Sequence, residues 1–292
     1  YTDGTASILL EPQSTNLTTH SEDFSNAAWA GGQTSATVTA STNTNPSGGN
    51  GTYLVENVAG TQLGAVVSVT AGLSYTGSFY VRRVSGSGAI TLRNVNNVAT
   101  AFTATSEWQR FSVTGVATGA GRLYINTLNT GDIIEVWGAQ LEALPYSTSY
   151  IPTSGAIATR LADSVTGAGD ATTFNSTEGV LYFEGSALAE TSLVNRHISI
   201  SGVSNSNRLY FYYRSSGGFG FASFVGGVLQ TNITFSGTIT NTSKIACKYK
   251  ENDYALWVNG VEVGTDTSAS VWSSGTLNEL AFDNGNYSSD KF

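Results

Sequence analysis

The chain has 292 residues, of which 40% are hydrophobic and only 12% charged, with a formal net charge of −8. Its 13 basic residues are scattered without a run, which argues against nucleic acid as a direct ligand. No apolar stretch reaches the roughly 18 residues that a membrane-spanning helix needs, and the single Cys247 excludes an internal disulfide, so packing must hold the fold.

The length predicts two domains of about 140–150 residues each. Ser, Thr, Asn and 33 Gly stand in for the missing ions, so the surface is wetted by hydroxyls and amides, as in many secreted or particle-surface β proteins. The 13 Phe, 14 Tyr and 5 Trp argue against disorder. A chain without Met that begins at Tyr1, with no visible signal peptide, is expected to be a fragment or a processed product.

In chain order, the first turn cluster is Pro46-Ser47-Gly48-Gly49-Asn50-Gly51. Tyr75, Gly77, Phe79 and Val81 then alternate with Thr76, Ser78, Tyr80 and Arg82, the pattern of a half-buried strand. Ser85–Gly88 and Gly119–Gly121 are further turns. The segment from Pro145 to Gly155 carries Tyr146, Tyr150 and Ile151, which predicts an ordered tail packed back on the first domain rather than a free linker. All four prolines (Pro12, Pro46, Pro145, Pro152) precede a boundary near 153–165, and Gly167 to Asp170 is the expected flexible point.

Beyond it, Ile198 and Ile200 alternate with Ser199 and Ser201. In 209–214, Leu209, Phe211 and Tyr213 share one face while Tyr210, Tyr212 and Arg214 share the other. Glycine turns follow at 215–218 and 226–227, and Phe219, Phe221 and Phe224 are read as core. Ile245, Cys247 and Tyr249 alternate with Ala246, Lys248 and Lys250. A tight connection at Glu251-Asn252-Asp253 and the hairpin signal Asn259-Gly260 make 244–264 a three-stranded antiparallel meander. No helix of three turns with an apolar stripe is present. The expected fold is all-β: two antiparallel β-sandwich (jelly-roll) domains in tandem, 1–160 and 161–292.

The blocks Leu9-Leu10-Glu11-Pro12-Gln13-Ser14-Thr15-Asn16-Leu17, Ser21-Glu22-Asp23-Phe24, Trp29, Trp108-Gln109-Arg110, Trp137-Gly138-Ala139-Gln140-Leu141-Glu142 and Tyr150-Ile151-Pro152-Thr153, followed by Thr159-Arg160 and Ala162-Asp163, together resemble a module of phage head-spike and tail-fibre proteins. The resemblance spans about residues 8–163 and implies a jelly roll of the carbohydrate-binding kind. The second half is similar to concanavalin A-like (laminin G-like) lectin or glucanase sandwiches at Glu178-Gly179-Val180-Leu181-Tyr182, Lys244-Ile245-Ala246 and Tyr254–Gly260. Such domains usually finish with a strand that returns beside the first. This chain stops at Phe292, so that strand is either missing or supplied by another chain.

A hydrolase of the glucanase kind needs two carboxylates on one strand face. Glu178, Glu184 and Glu190 are too far apart for this, and Glu251 and Asp253 sit in a turn. A lyase needs a His or Tyr base beside Arg and an amide, which His197, Arg196, Tyr210 and Tyr212 could supply. His20 has no partner signature, and Cys247 falls on an apolar face. Sugar binding needs aromatic faces with Arg or amides beside them, and the expected site residues are Tyr210, Tyr212 and Arg214 in the second half and Tyr80 and Arg82 in the first. Trp29, Tyr53 and Trp108 are alternatives, although Trp108 and Trp137, inside the family blocks, are read as core.

No cofactor is expected to be required. A structural Ca²⁺ could be held by Glu22, Asp23 and Glu142. The sequons at Asn16, Asn50, Asn175, Asn232, Asn241 and Asn286 would stay bare in a bacterial virus. These readings converge on a non-catalytic virion appendage, at the virion surface or extracellular. Its partners would be glycans and other copies of itself (a trimer) or other virion proteins, without nucleic acid or membrane insertion. The alternatives are a purely structural oligomerisation module and a polysaccharide lyase or hydrolase.

Overall fold

Period-2 alternation becomes strand over most of the chain, and turns fall where Gly and Asn cluster. In the computed structural model, the residues described are 8–30, 36–56, 62–119, 121–127, 129–190 and 195–285. Gln13–Leu161 forms one unit, and the residues from Ala162 onward form the other together with residues 8–12. The latter are held by Asp163: the Glu11 amide donates to its carboxylate at 2.9 Å, and the Asp163 amide donates to the Glu11 carbonyl at 2.9 Å.

The first unit contains β1 (Ser14–Asn16), β2 (Thr37–Thr44), β3 (Asn50–Glu56), β4 (Leu63–Val67), β5 (Ser74–Ser85), β6 (Ile90–Arg93), β7 (Ala99–Phe102), β8 (Gln109–Val116), β9 (Gly121–Thr127), β10 (Ile133–Glu142) and β11 (Ala158–Arg160). One sheet has the order β2-β3-β10-β5-β8 and the other β4-β9-β6-β7, while β1 pairs with β11. Phe79, Val81, Val113, Ile134, Val136 and Leu141 from the first sheet bury against Leu63, Ile90, Leu92, Leu123 and Ile125 from the second. The side chains between them in sequence (Ser78, Tyr80, Arg82, Glu135, Arg110) stand on the opposite face of the five-stranded sheet.

Strand β10 changes partners along its length. Ile133–Val136 pairs with β3, after which the ladder is taken over by residues 16–21. The Leu17 amide donates to Leu141 O, the Ala139 amide donates to Ser21 O, and the Asn16 side chain fills the position between. The tail 145–155 packs on the same strand: the Ile151 amide donates to Gln140 Oε1 at 2.7 Å, and Ile151 is 5% exposed.

The second unit contains β12 (Glu178–Gly185), β13 (Arg196–Ser201), β14 (Arg208–Tyr213), β15 (Phe219–Val225), β16 (Val228–Phe235), β17 (Ser243–Lys250), β18 (Tyr254–Val258), β19 (Val261–Asp266) and β20 (Glu279–Ala281). Its sheets have the orders β12-β17-β18-β19 and β16-β15-β14-β13-β20. Leu181, Ile245, Cys247, Tyr254 and Leu256 bury against Ile198, Leu209, Phe211, Phe219 and Phe221. Both units are thus antiparallel β-sandwiches, as the alternation predicts. The meander β17-β18-β19 turns at Asn259 (φ 51) and Gly260 (φ 83), the pair of positive φ values that a two-residue hairpin of the right twist requires.

Two sequence expectations are corrected. Phe224 is not core: Phe219, Phe221 and Ser223 face inward, so alternation leaves Phe224 on the outer face, opposite Arg208. Gly167 to Asp170 is no loose linker, because the Gly167 amide donates to Glu279 Oε1 at 2.7 Å and the Leu280 amide donates to Ala168 O. Asp170 then closes a turn, and the Thr172 hydroxyl with the Thr172 and Thr173 amides holds its carboxyl down to about 2. The sequon residue Asn16, expected to stay bare, is fully buried. The last described strand, β20, lies beside β13; Asn286 and the chain end fall outside the described residues.

Candidate functional site

The outer face of the first unit's five-stranded sheet gathers aromatic rings and guanidinium groups. Register places Trp137, Tyr80 and Arg110 in one cross-strand row over β10, β5 and β8. The Tyr80 ring lies 5.5 Å from Trp137, and the Arg110 guanidinium lies 5.4 Å from the Tyr80 centroid. Arg110 is fixed from behind, donating to Thr148 O and to Ser78 Oγ. One row along, Arg82 lies 5.0 Å over the ring of Trp108, whose indole N–H donates to Thr44 O at 3.2 Å. Stacked cations of this kind combine an apolar ring face with a polar edge.

Glu135 sets the position of Arg82. This carboxylate has no exposed surface and accepts from Arg82 Nε at 2.7 Å and Nη2 at 2.6 Å, from Asn43 Nδ2 at 2.9 Å, and from the Thr52 hydroxyl. Burial alone would raise its pKa; the hydrogen bonds from Thr52, Asn43 and Arg82 and the Arg82 charge outweigh burial and hold it below the ordinary value. Tyr150, from the tail, closes the other end of the row. It packs 4.5 Å from Trp137 and edge-on to Tyr80, with its hydroxyl on Ser21 Oγ at 2.6 Å and Glu22 Oε1 at 3.0 Å. Burial keeps this phenol protonated well above its ordinary range.

A bulge makes this packing possible. The β10–β5 register shifts between Trp137 and Gln140, and Gly138 within it has φ 63. A Cβ there would meet Tyr80 Cδ2 at 3.0 Å and Tyr150 Cε2 at 3.3 Å. Gly138→Ala is therefore expected to destabilise the first unit by about 2 kcal/mol through backbone strain and ring displacement, to be read as a shifted urea midpoint at unchanged slope.

The expected residues Tyr80 and Arg82 thus sit together, and the structure adds Trp108, Arg110, Trp137 and Tyr150. Trp108 is half-buried on the outer face rather than core, and Trp137, 3% exposed, is buried on that same side beneath Tyr150. Continuing the alternation of β8 backwards from Arg110 would have placed Trp108 correctly. Trp29 and Tyr53, weighed as alternatives, pack on the core side around Phe24.

Glu22, Asp23 and Glu142 are not brought together as ligands. Glu142 is fully buried, accepting from Ser14 Oγ at 2.6 Å and from the Thr148 amide and hydroxyl. Asp23 accepts from Ser25, which lowers its pKa, and from Tyr53; Glu22 serves Tyr150. Among the described residues no cluster of three His, Cys, Asp or Glu side chains suits a metal ion.

In the second unit, Tyr210 and Tyr212 do share the outer face of the five-stranded sheet. His197 lies across from Tyr212, stacked at 5.6 Å and edge-on to Tyr210 at 4.9 Å. Arg208 lies 5.1 Å over Tyr210 and 4.9 Å over Phe224. Tyr212 is only 8% exposed, because its ring lies down over Gly220, where a Cβ would come within 2.1 Å, and its hydroxyl donates to Asn232 Oδ1 at 3.0 Å. Arg214 follows the strand and begins the turn 214–217. Arg208, two residues before Tyr210, was legible from the same alternation, whereas Asn232 comes from a distant strand and carried no local signal.

No protein-family model matches the chain, and no curated protein does. Among solved structures, it is similar to a CBM4 carbohydrate-binding module at 14% identity and TM-score 0.28, covering 32% of this chain and 71% of that one. It is also similar to the CBM22-1–GH10 modules of Clostridium thermocellum endo-1,4-beta-D-xylanase 10B, complexed with xylohexaose, at 16% identity and TM-score 0.29, covering 40% of this chain and 26% of that one. The tandem CBM22-1–CBM22-2 domains of Paenibacillus barcinonensis Xyn10C match at 10% identity and TM-score 0.30, covering 85% and 89%.

Chemically, the first unit's face offers ring surfaces for the C–H side of a sugar beside two guanidinium groups for its hydroxyls. All are held before any ligand arrives, which lowers the ordering cost of binding.

Proposed function

We propose that this chain is a non-catalytic glycan-recognition protein of a virion appendage, a head or tail fibre or spike, acting at the particle surface in company with further copies of itself or other virion proteins. The observation that carries the recognition half is the preorganised face of Trp108, Arg82, Tyr80 and Arg110 on the first sandwich. The virion setting rests on the resemblance of the ordered blocks in residues 8–163. The test is a glycan array probed with the purified chain, with and without Ca²⁺. Binding that survives a chelator is expected, and silence under both conditions would remove the recognition half.

One cluster favours a second reading, that of a polysaccharide lyase. His197, Tyr210, Tyr212, Arg208 and Asn232 meet on the second unit's outer face, the residue types that proton abstraction beside a uronate carboxylate uses. Against it, burial raises both phenols, which opposes a tyrosinate base at neutral pH. Incubation with uronate polysaccharides decides: new unsaturated-uronate absorbance, lost in His197→Ala, would replace binding by catalysis.

A further inference from the structure

The second unit carries another aromatic surface, on the opposite sandwich face from the His197–Tyr210 cluster. On the outer side of the sheet β12-β17-β18-β19, register puts Tyr182, Ala246, Trp257 and Glu262 in one row across the four strands. Tyr182, on the edge strand β12, is 55% exposed and Trp257, on the inner strand β18, is 38% exposed. Between them stands only the methyl group of Ala246, so nothing rises above the sheet from one ring to the other. Their backbones are two strand spacings apart, about 9.5 Å.

The surroundings of the rings say what kind of partner suits them. On one side of the row, Glu184 stands opposite Lys244, and the Tyr182 hydroxyl donates to Glu184 Oε2 at 2.9 Å. On the other, Lys248 pairs with Asp253 at 2.6 Å. Cations and carboxylates therefore alternate around the rings and largely cancel, which selects neither an anionic nor a cationic ligand. The core of a protein–protein interface is depleted of charge, whereas these rings are hemmed by it. Exposed rings in a polar, charge-balanced frame fit a neutral polyhydroxylated chain, with C–H faces on the rings and hydroxyls on the ammonium and carboxylate groups. In an extended β-1,4-linked chain, alternate sugars present the same face one disaccharide apart, matching two rings on one side of a sheet at this spacing.

We propose that this face binds an extended, neutral β-1,4-linked polysaccharide lying across β12, β17 and β18, with Tyr182 and Trp257 stacked on alternate sugars. The site is separate from the first unit's face, and its test separates the two. The full chain is co-sedimented with insoluble β-1,4-glucan, chitin and β-mannan particles. Retention on at least one is expected, falling about tenfold in Trp257→Ala and in Tyr182→Ala, the loss of roughly one stacking contact. Ala246→Arg, which keeps both rings and raises a side chain between them, is expected to do the same at an unchanged unfolding midpoint. No retention on any of the three particles, or retention unchanged in the Trp257 and Ala246 variants, would overturn the proposal. So would a wild-type dimer that Trp257→Ala converts to monomer, since that assigns the face to a second copy.

Discussion

Replacing Asn16 with alanine is expected to destabilise the first sandwich by about 4 kcal/mol. The Asn16 carboxamide has no exposed surface and uses all its capacity: its Nδ2 donates to Ala139 O at 3.0 Å and Ile151 O at 2.9 Å. Its Oδ1 accepts from the Leu141 amide at 3.2 Å, the Thr18 amide at 3.1 Å and the Thr18 hydroxyl at 2.8 Å. It acts as a piece of strand where β10 has left β3, tying the N-terminal segment, β10 and the tail together. Alanine leaves the Ile151 carbonyl and the Leu141 and Thr18 amides buried without that partner, each costing about 1–3 kcal/mol, while Ala139 O keeps the Thr18 hydroxyl. In a thermal melt the first unit's midpoint should fall by about 10 °C or more, while the second unit's transition stays in place. The substitution Asn16→Asp should do no better, since it keeps the acceptor, loses both donors and adds a buried charge. An unchanged midpoint in the alanine variant would contradict this role.

Glu135→Gln is expected to lower stability by about 2 kcal/mol and to loosen the candidate face at the same time. The amide cannot match a carboxylate that takes two Arg82 nitrogens as well as Asn43 and Thr52, and it leaves Arg82, 28% exposed, without its counter-ion. The folded pKa of Glu135 is depressed, so its contribution is fully present above the unfolded value of 4.5 and is lost as pH falls through the folded value. Wild-type stability should therefore fall below about pH 4.5 more steeply than that of the variant, and the two curves converge toward acid. Parallel curves through that range would mean that Glu135 titrates as an ordinary carboxylate.

The sandwich class was legible because it depends on local pattern: Tyr75 to Arg82 alternates cleanly and Asn259-Gly260 supplies a turn of one type. The candidate face was half legible for the same reason. Tyr80 and Arg82 follow from alternation, and so does Trp108 two residues before Arg110, yet its place inside the Trp108-Gln109-Arg110 block reads as core. Tyr150 reaches the row through a tail whose packing depends on buried partners more than a hundred residues away, at Ser21 and Asn16. Phe224 reads as core by its company with Phe219 and Phe221, yet it lies an odd number of residues after Phe221, and alternation sends it to the other face. The three carboxylates read as metal ligands illustrate the reverse error, since acids close in sequence or family block were recruited separately by hydroxyls and amides.

The central claim is recognition of glycan by the Trp108–Arg82–Tyr80–Arg110 face. It is tested most directly by calorimetric titration of wild type, Trp108→Ala and Trp108→Phe with an oligosaccharide that scores on the array. Binding by wild type is expected, with about tenfold weaker binding by the alanine variant and partial recovery by phenylalanine, all at the same unfolding midpoint. Alanine and wild-type proteins that bind equally well would contradict it.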